Sequence, residues 1–231
     1  MVERIAVFTD VHADAPALHS ILNAIEEAGI SKIWCLGDFC SGGPDPRQCF
    51  DWTTANCEIV LAGNHELFVT HKVFMQYQGG WADAAYYAYQ ELGSKRLQEL
   101  EKLSSYVRLP YAELIHGAMT DPASDYIRTD ADAFMNLNMI RGNLLLFGHT
   151  HQAALYISQV KGLPKKPEIV IGQEYELPNN FRCALNPGAG CDNKGARWME
   201  LILDDDERNV MRRVIWHQTD VPGHGGMNSI F

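Results

Sequence analysis

Three times within the first 65 residues of this 231-residue chain, an apolar and largely β-branched run of strand length ends in a polar cluster: Ile5 to Thr9, Ile33 to Leu36, and Glu58 to Ala62. Such runs read as buried strands. Between them lie helical patterns. Leu18, Ile21, Leu22 and Ile25 recur at three- and four-residue intervals and line one helix face, with Asp14 and Pro16 suited to its start. A second, shorter helix is predicted from near Pro46 and includes Cys49, Phe50 and Trp52. Strand and helix alternating at this spacing predict right-handed crossovers and a parallel sheet. Binding groups are then expected beyond the carboxyl ends of the strands.

Residues 66–104 read mostly as a helical insert rich in Tyr, Phe and Leu, with a break at Gly79-Gly80. The pattern then returns to β at Tyr106 to Leu109, Ala112 to Ile115, Leu144 to Phe147, Ala153 to Ser158, Arg182 to Leu185, Ala196 to Leu203 and Val210 to Trp216. These strands come mostly without helices between them, which predicts antiparallel pairs. The expected architecture is α/β: a four-layer α-β-β-α sandwich of two mixed sheets, one from each half of the chain, with flanking helices. A single domain over residues 1–218 is expected. Residues 161–180, with Pro164, Pro167 and Pro178, are expected as a peripheral hairpin or flap, and 219–231 as a tail.

A composition of 46% hydrophobic and 21% charged residues suits a sizeable core in one domain. The formal charge of -10 argues against stable binding to nucleic acid or anionic lipid, which draws on clustered Lys and Arg. No basic segment followed by an apolar stretch opens the sequence, and nowhere do about 18 apolar residues run together. A soluble cytoplasmic protein without membrane contact is therefore expected. The six cysteines form no Cys-x-x-Cys pair and read as buried thiols.

The chemistry gathers at strand ends. Asp10-Val11-His12 follows the first strand, Gly37-Asp38 the second, and Gly63-Asn64-His65-Glu66 the third. His116-Gly117 follows the strand Ala112 to Ile115, and Gly148-His149-Thr150-His151 follows Leu144 to Phe147. A carboxylate and an imidazole converging at one strand end suit a divalent transition metal, and histidines at i and i+2 can reach two metals. Taken singly, strand-end Asp and His commonly cap helices or bond backbone amides. Five such clusters together without metal would leave carboxylates and imidazoles crowded and poorly satisfied.

These five segments, in this order, resemble the hallmarks of the calcineurin-like metallophosphoesterase family: Asp-x-His, Gly-Asp, Gly-Asn-His-Asp/Glu, a lone His, and Gly-His-x-His. Gly43-Pro44-Asp45-Pro46 and Asn186-Pro187-Gly188-Ala189 are similar to features of its small bacterial and archaeal branch. The resemblance implies two divalent metal ions, drawn from manganese, iron, nickel, cobalt and zinc. It implies Asp10, His12, Asp38 and His151 as ligands of one, and Asp38, Asn64, His116 and His149 as ligands of the other, with Asp38 bridging. It further implies hydrolysis of a small phosphoester or nucleotide-like substrate by a bridging hydroxide, with His65 over the site as catalytic residue, oriented by Asp10 or Glu66.

Two departures bear on the substrate. In the protein Ser/Thr phosphatase branch an arginine follows the Gly-Asp motif, whereas Gly37-Asp38-Phe39-Cys40-Ser41-Gly42-Gly43 has glycine where it would fall, leaving Arg47, Arg128 or Arg197 to approach from elsewhere. The Asn-Pro-Gly loop continues through Ala189, Gly190, Cys191, Asp192 and Asn193 to Lys194 rather than to a Pro-Arg-Asp. The aromatics Phe68, Tyr77, Trp81, Tyr86, Tyr87 and Tyr89 of the insert read as core by their helical spacing, or as a wall that stacks a nucleobase. A protein phosphatase or a dinucleoside polyphosphate hydrolase is the alternative activity. A non-catalytic scaffold of this fold would tend to lose a ligand or the His after Asn, and neither is lost here.

Overall fold

The computed structural model describes residues 2–191, 195–206 and 209–222, so Lys194, with Asp192, Asn193 and residues 223–231 of the expected tail, lies outside the described residues. The three leading strands are β1 (Val2–Phe8), β2 (Lys32–Cys35) and the two-residue β3 (Ile59–Val60), all parallel. Helix α1 (Ala15–Glu27) starts as its sequence predicts. The Asp14 carboxylate accepts from Ala17 N–H at 2.9 Å, and Pro16 sits in the first turn, where no amide hydrogen is needed. Helix α2 (Pro46–Asn56) begins with a proline in the same way. The insert folds as α3 (Asn64–Thr70), a 3-10 turn (Val73–Gln76) and α4 (Trp81–Leu100), and the Gly79-Gly80 break separates the last two.

The rest of the chain supplies β4 (Tyr106–Arg108), β5 (Ala112–Ile115), α5 (Asp130–Met139), β6 (Leu144–Leu146) and β7 (Ala154–Ile157). After these come β8 (Glu174–Leu177), β9 (Cys183–Asn186), β10 (Ala196–Asp206) and β11 (Asn209–Thr219). Two mixed sheets result, in strand orders β3-β2-β1-β10-β11-β8 and β4-β5-β6-β9-β7. The expectation of one sheet from each half is corrected by this topology. Strand β10 runs antiparallel to β1, with Ile5 opposite Leu201, so the end of the chain completes the sheet its beginning starts. That pairing makes β1 an interior strand, flanked by β2 and β10. The stretch expected as a hairpin or flap contributes β8, which closes the edge of the first sheet against β11. Helix α5 was not anticipated, because it buries little more than Ala133, Asn136 and Leu137 while Phe134, Met135 and Met139 face outward.

Strand alternation builds the layers. Ile5 and Val7 point between the sheets, where Trp34, Leu36, Leu114, Leu144, Leu146, Leu185, Met199 and Trp216 pack with them. Ala6 and Phe8 point outward into a second core with Leu18, Ile21, Ile25 and Phe50 of the helices. On the far side Leu145, Phe147 and Tyr156 pack with Ala133 and Leu137 of α5. The four-layer α-β-β-α sandwich is thus the observed architecture. Among the described residues, no helix is long and apolar enough to cross a membrane.

Candidate metal centre

Parallel pairing aligns strand ends. Phe8 lies beside Cys35, and Leu114 beside Leu146, so the segments that follow β1, β2 and β3 emerge together, as do those after β5 and β6. Hydrogen bonds then tie the two groups across the sandwich. Asp10 Oδ2 accepts from His149 N–H at 3.0 Å, and His116 Nδ1 donates to the Leu36 carbonyl at 2.9 Å. All the metal ligands expected from the sequence, and His65, are brought together in this way.

They form two clusters that share a carboxylate. One ligand atom each from Asp10, His12 and His151 lie within 4.8 Å of one another, as do atoms of Asp38, His116 and His149. Asp38 also falls in such a group with His12 and His65, so its carboxylate stands between the clusters. Asn64 Oδ1 is 3.1 Å from His116 Nε2, which places it in the second. The imidazoles are oriented through their outer nitrogens. His116 Nδ1 faces the Leu36 carbonyl, His149 Nε2 faces the Ser124 carbonyl at 3.0 Å, and His12 Nδ1 faces the Ser41 carbonyl at 3.4 Å. A proton on each of these outer nitrogens suits the carbonyl it faces, so the inner nitrogen is the one that can offer a lone pair to a cation in the cluster.

The backbone is strained where it carries these groups. Asp10, His12, Asp38, His149 and His151 all have φ between 52° and 64°. A non-glycine residue there costs roughly 1–2 kcal/mol. The surroundings hold them: Asp10, His12 and Ala13 donate their amides to the carbonyls of Gly37, Asp38 and Phe39, continuing the β1–β2 ladder past the strands.

Glu66, which the sequence offered as a partner for His65, has another role. Its buried carboxylate accepts from the amides of Asp38 (2.7 Å), Phe39 (2.9 Å), Cys40 (3.2 Å) and Gly63 (2.8 Å), pinning together the loops that carry Asp38 and Asn64. Asp10 does not bond His65 either, since Oδ2 is taken by His149 and Oδ1 has no hydrogen-bond partner among the described residues. The His65 ring instead packs on His12, with centroids 4.5 Å apart, while its amide donates to Asp38 Oδ1 at 2.9 Å. Asn186 was also missed as a brace: its Nδ2 donates to the Gly148 carbonyl at 2.8 Å and to Thr150 Oγ1 at 3.1 Å, holding the His149–His151 loop. Its place in an Asn-Pro-Gly turn was the available signal.

A profile of calcineurin-like phosphoesterases matches residues 3–153, nearly two thirds of the chain and the stretch that holds every one of these ligands. The chain belongs to that family. Its structure is similar to that of a metallophosphoesterase from Sphaerobacter thermophilus, with 26% identity and a TM-score of 0.74 over 94% of this chain and 89% of that one. Protein PH1004 from Pyrococcus horikoshii OT3 shares the fold at 14% identity and a TM-score of 0.70, over 97% of this chain and 99% of that one. A 74-residue stretch is 39% identical to protein MJ0912 of Methanocaldococcus jannaschii, covering 32% of this chain and only 30% of that protein's own length.

The residues of this calcineurin-like phosphoesterase fit divalent cations on several physical grounds. Asp10 Oδ1 is a buried carboxylate oxygen without a hydrogen-bond partner among the described residues, 3.4 Å from His151 Nε2 and 3.9 Å from His12 Nε2. Those two nitrogens face each other at 3.0 Å. Two imidazoles and a carboxylate oxygen aimed at one point make a donor set for a transition metal. In the second cluster, burial opposes a charge on His116, yet the Asp38 carboxylate 3.2 Å away outweighs it and raises the imidazole to about 9. Burial likewise opposes charge on Asp38, but His116 and His65 hold its carboxyl well below the usual range. A proton on His116 occupies the place a cation would take. For His12, burial and then His65 push the imidazole down to about 4, which keeps it a neutral donor.

Two glycines show how little slack this calcineurin-like phosphoesterase centre has. Gly42, where an arginine would stand in the protein phosphatases, has φ of 121° and a Cβ position 3.0 Å from His12 Cβ, so a side chain there would be strained and would press on His12. A Cβ on Gly63 would strike Asp38 Oδ1 and come within 2.8 Å of His116 Cε1. Gly63→Ala is therefore expected to displace both residues and cut kcat/KM about 100-fold, the scale of a misplacement near 1 Å, with a stability loss of about 1–3 kcal/mol. Steady-state kinetics and thermal unfolding of the variant check this, and an alanine variant with unaltered kinetics would show the centre to be looser than described.

Proposed function

We propose that this protein is a hydrolase of small or nucleotide-like phosphoesters. In this reading Asp10, His12, Asp38 and His151 hold one divalent cation and Asp38, Asn64, His116 and His149 a second. Asp38 is the shared ligand. The observation that carries the reading is the position of the Asp38 carboxylate between two histidine clusters, with His12, His116 and His149 oriented by backbone carbonyls.

The cations, when bound, would lower the pKa of water toward neutrality and offset the charge that builds on phosphorus. The chain's own groups do the rest. His65, half-buried at the cleft with its amide anchored on Asp38, is the group placed to give a proton to the leaving oxygen. The cleft it lines, with His12, Asp38, Asn64, His149 and His151, has a volume of about 270 Å³. That is at the small end of ligand pockets, roughly 300–1,000 Å³, and suits a phosphoryl group with part of its leaving group better than a folded phosphoprotein. A specific observation favours a nucleoside leaving group. From His65 a line of rings runs outward through Phe68 (5.9 Å), Trp81 (4.7 Å further) and Tyr77 (5.1 Å further), with Trp81 and Tyr77 exposed. Exposed aromatic faces beside a phosphate site suit a nucleobase. Tyr89 joins the helical core instead. A soluble, cytoplasmic enzyme with manganese among its metals completes the reading.

The test is hydrolysis of p-nitrophenyl phosphate and its bis ester by protein loaded with Mn(II), Ni(II), Co(II) or Zn(II). Stripping metal with a chelator is expected to abolish turnover, and re-addition to restore it. At a free-metal concentration about 100 times Kd, binding is expected to add about 2.7 kcal/mol and raise the melting temperature by roughly 5–10 °C. If no metal supported turnover of either ester, the reading would be wrong.

A further inference from the structure

Arg128 is the one arginine that lines the cleft among the described residues, beside Tyr126, Thr150, His149 and His151. Its backbone is fixed on both sides. The amide donates to Asp132 Oδ2 at 3.1 Å, and the carbonyl accepts from the Tyr156 hydroxyl at 3.4 Å. Thr129 then caps α5 through Asp132 N–H at 3.1 Å, so the residue leads into a secured helix start. The guanidinium carbon lies 3.6 Å from the centroid of the Tyr126 ring. That ring stacks in turn on His149, with centroids 3.9 Å apart and planes 21° from parallel. A ladder of guanidinium, phenol and imidazole therefore runs from Arg128 to the second cluster.

The other arginines named from the sequence are engaged elsewhere. Arg47 donates to the Glu91 carbonyl at 2.9 Å and pairs with its carboxylate at 3.1 Å, and Arg197 donates to Gln218 at 3.2 Å. For Arg128, stacking on Tyr126 is the close contact of the guanidinium among the described residues, with Asp132 the acidic group that senses its charge, and from the cleft wall its N–H edge can meet a ligand.

We propose that Arg128, braced by Tyr126, binds a third non-ester oxygen of a phosphomonoester and biases this centre toward monoesters over diesters. The proposal rests on the phosphoester-hydrolase reading above. A monoester carries three oxygens free of carbon on phosphorus and nearly two negative charges; a diester carries two such oxygens and one charge. With two oxygens turned toward the floor of Asp38, Asn64 and the histidines, a monoester presents its third, charged oxygen toward the cleft wall. A diester presents an esterified oxygen there, which offers a guanidinium neither charge nor a matching pair of acceptors. The planar fork of arginine suits phosphate oxygens, and its charge persists at every working pH. The arginine absent after the Gly-Asp motif is thus supplied from the loop after His116. Arg128 is a specificity-determining residue in this account, and Tyr126 a positioning residue.

The experiment compares p-nitrophenyl phosphate with bis(p-nitrophenyl) phosphate on the Mn(II)-loaded wild type and on R128A, R128K and Y126A. R128A is expected to lower kcat/KM for the monoester between about 10- and 100-fold, the scale of a charge-assisted hydrogen bond, and to reduce the monoester-to-diester ratio at least tenfold. R128K, which keeps charge but not the fork, and Y126A, which removes the brace, are expected to fall between. Manganese content should match the wild type in all of them. A ratio unchanged in R128A would overturn the proposal. Calorimetric titration with inorganic phosphate gives a readout without turnover: Kd should rise at least tenfold in R128A, and an unchanged Kd would also overturn it. Were the wild type to hydrolyse neither ester, the hydrolase reading would fail by itself, and the phosphate titration would still decide the role of Arg128.

Discussion

Asp38→Asn is expected to reduce phosphoester turnover by about three orders of magnitude or more, on the scale seen when a group at a reacting centre is removed. Asparagine keeps the shape and the acceptor that takes the His65 amide at 2.9 Å. It removes the negative charge that faces His116 at 3.2 Å and that both clusters share. The loss should therefore appear in metal content as well as in rate. Manganese bound after dialysis should fall below two ions per chain, and the His116 imidazole should lose the partner that now raises it to about 9. Far-UV circular dichroism should be unaltered, because Asp38 sits beyond the end of β2 and its backbone bonds to His12 and Glu66 do not use the carboxylate that the substitution changes. Wild-type kcat/KM with full metal occupancy in this variant would remove Asp38 from the centre of the mechanism.

The second large effect is expected at a residue that touches no proposed cation. Glu66→Ala leaves the amides of Asp38, Phe39, Cys40 and Gly63 without their acceptor in a buried site. Each orphaned group costs about 1–3 kcal/mol where water cannot replace the bond. Allowing water to reach some of them, a loss of at least about 3 kcal/mol is expected, or a fall in melting temperature on the order of 10 °C for a chain of this size. Glu66→Gln is the sharper variant. Oε1 takes two of the amides and Oε2 the other two, so a glutamine must turn its NH2 group toward a pair of donors. It should lose nearly as much stability as alanine, and activity should fall with it because the Asp38 and Asn64 loops part. A Gln variant as stable and active as the wild type would mean that Glu66 merely fills space.

Much of the fold was legible because local pattern and tertiary need coincide at particular segments. The alternation in β1 and β2, the apolar face of α1 with its Asp14 cap, and the proline that opens α2 each satisfy a local rule that the final packing also uses. The pairing of β10 with β1 was not legible, since partners about 200 residues apart share no local signal. Helix α5 escaped for a related reason: with Phe134, Met135 and Met139 outward, its apolar residues mark no single face. Within the site, the metal-ligating residue types stood out because few side chains bind divalent metals. The surroundings of Glu66, Asn186 and Arg128 did not, although Glu66 and Arg128 were each named as one of several candidates, because they are set by the fold: four amides, one loop and one tyrosine ring.

By itself, then, the sequence determined which donor atoms are available and at which strand ends they occur, since residue identity sets ligand chemistry and strand periodicity sets where each run stops. Only the tertiary structure decided which donors share a cluster, which nitrogen of each histidine points inward, and which arginine faces the cleft. Those choices depend on carbonyls and rings that belong to distant segments, such as Leu36 for His116, Ser124 for His149 and Tyr126 for Arg128, and they exist only once the two sheets have closed on each other.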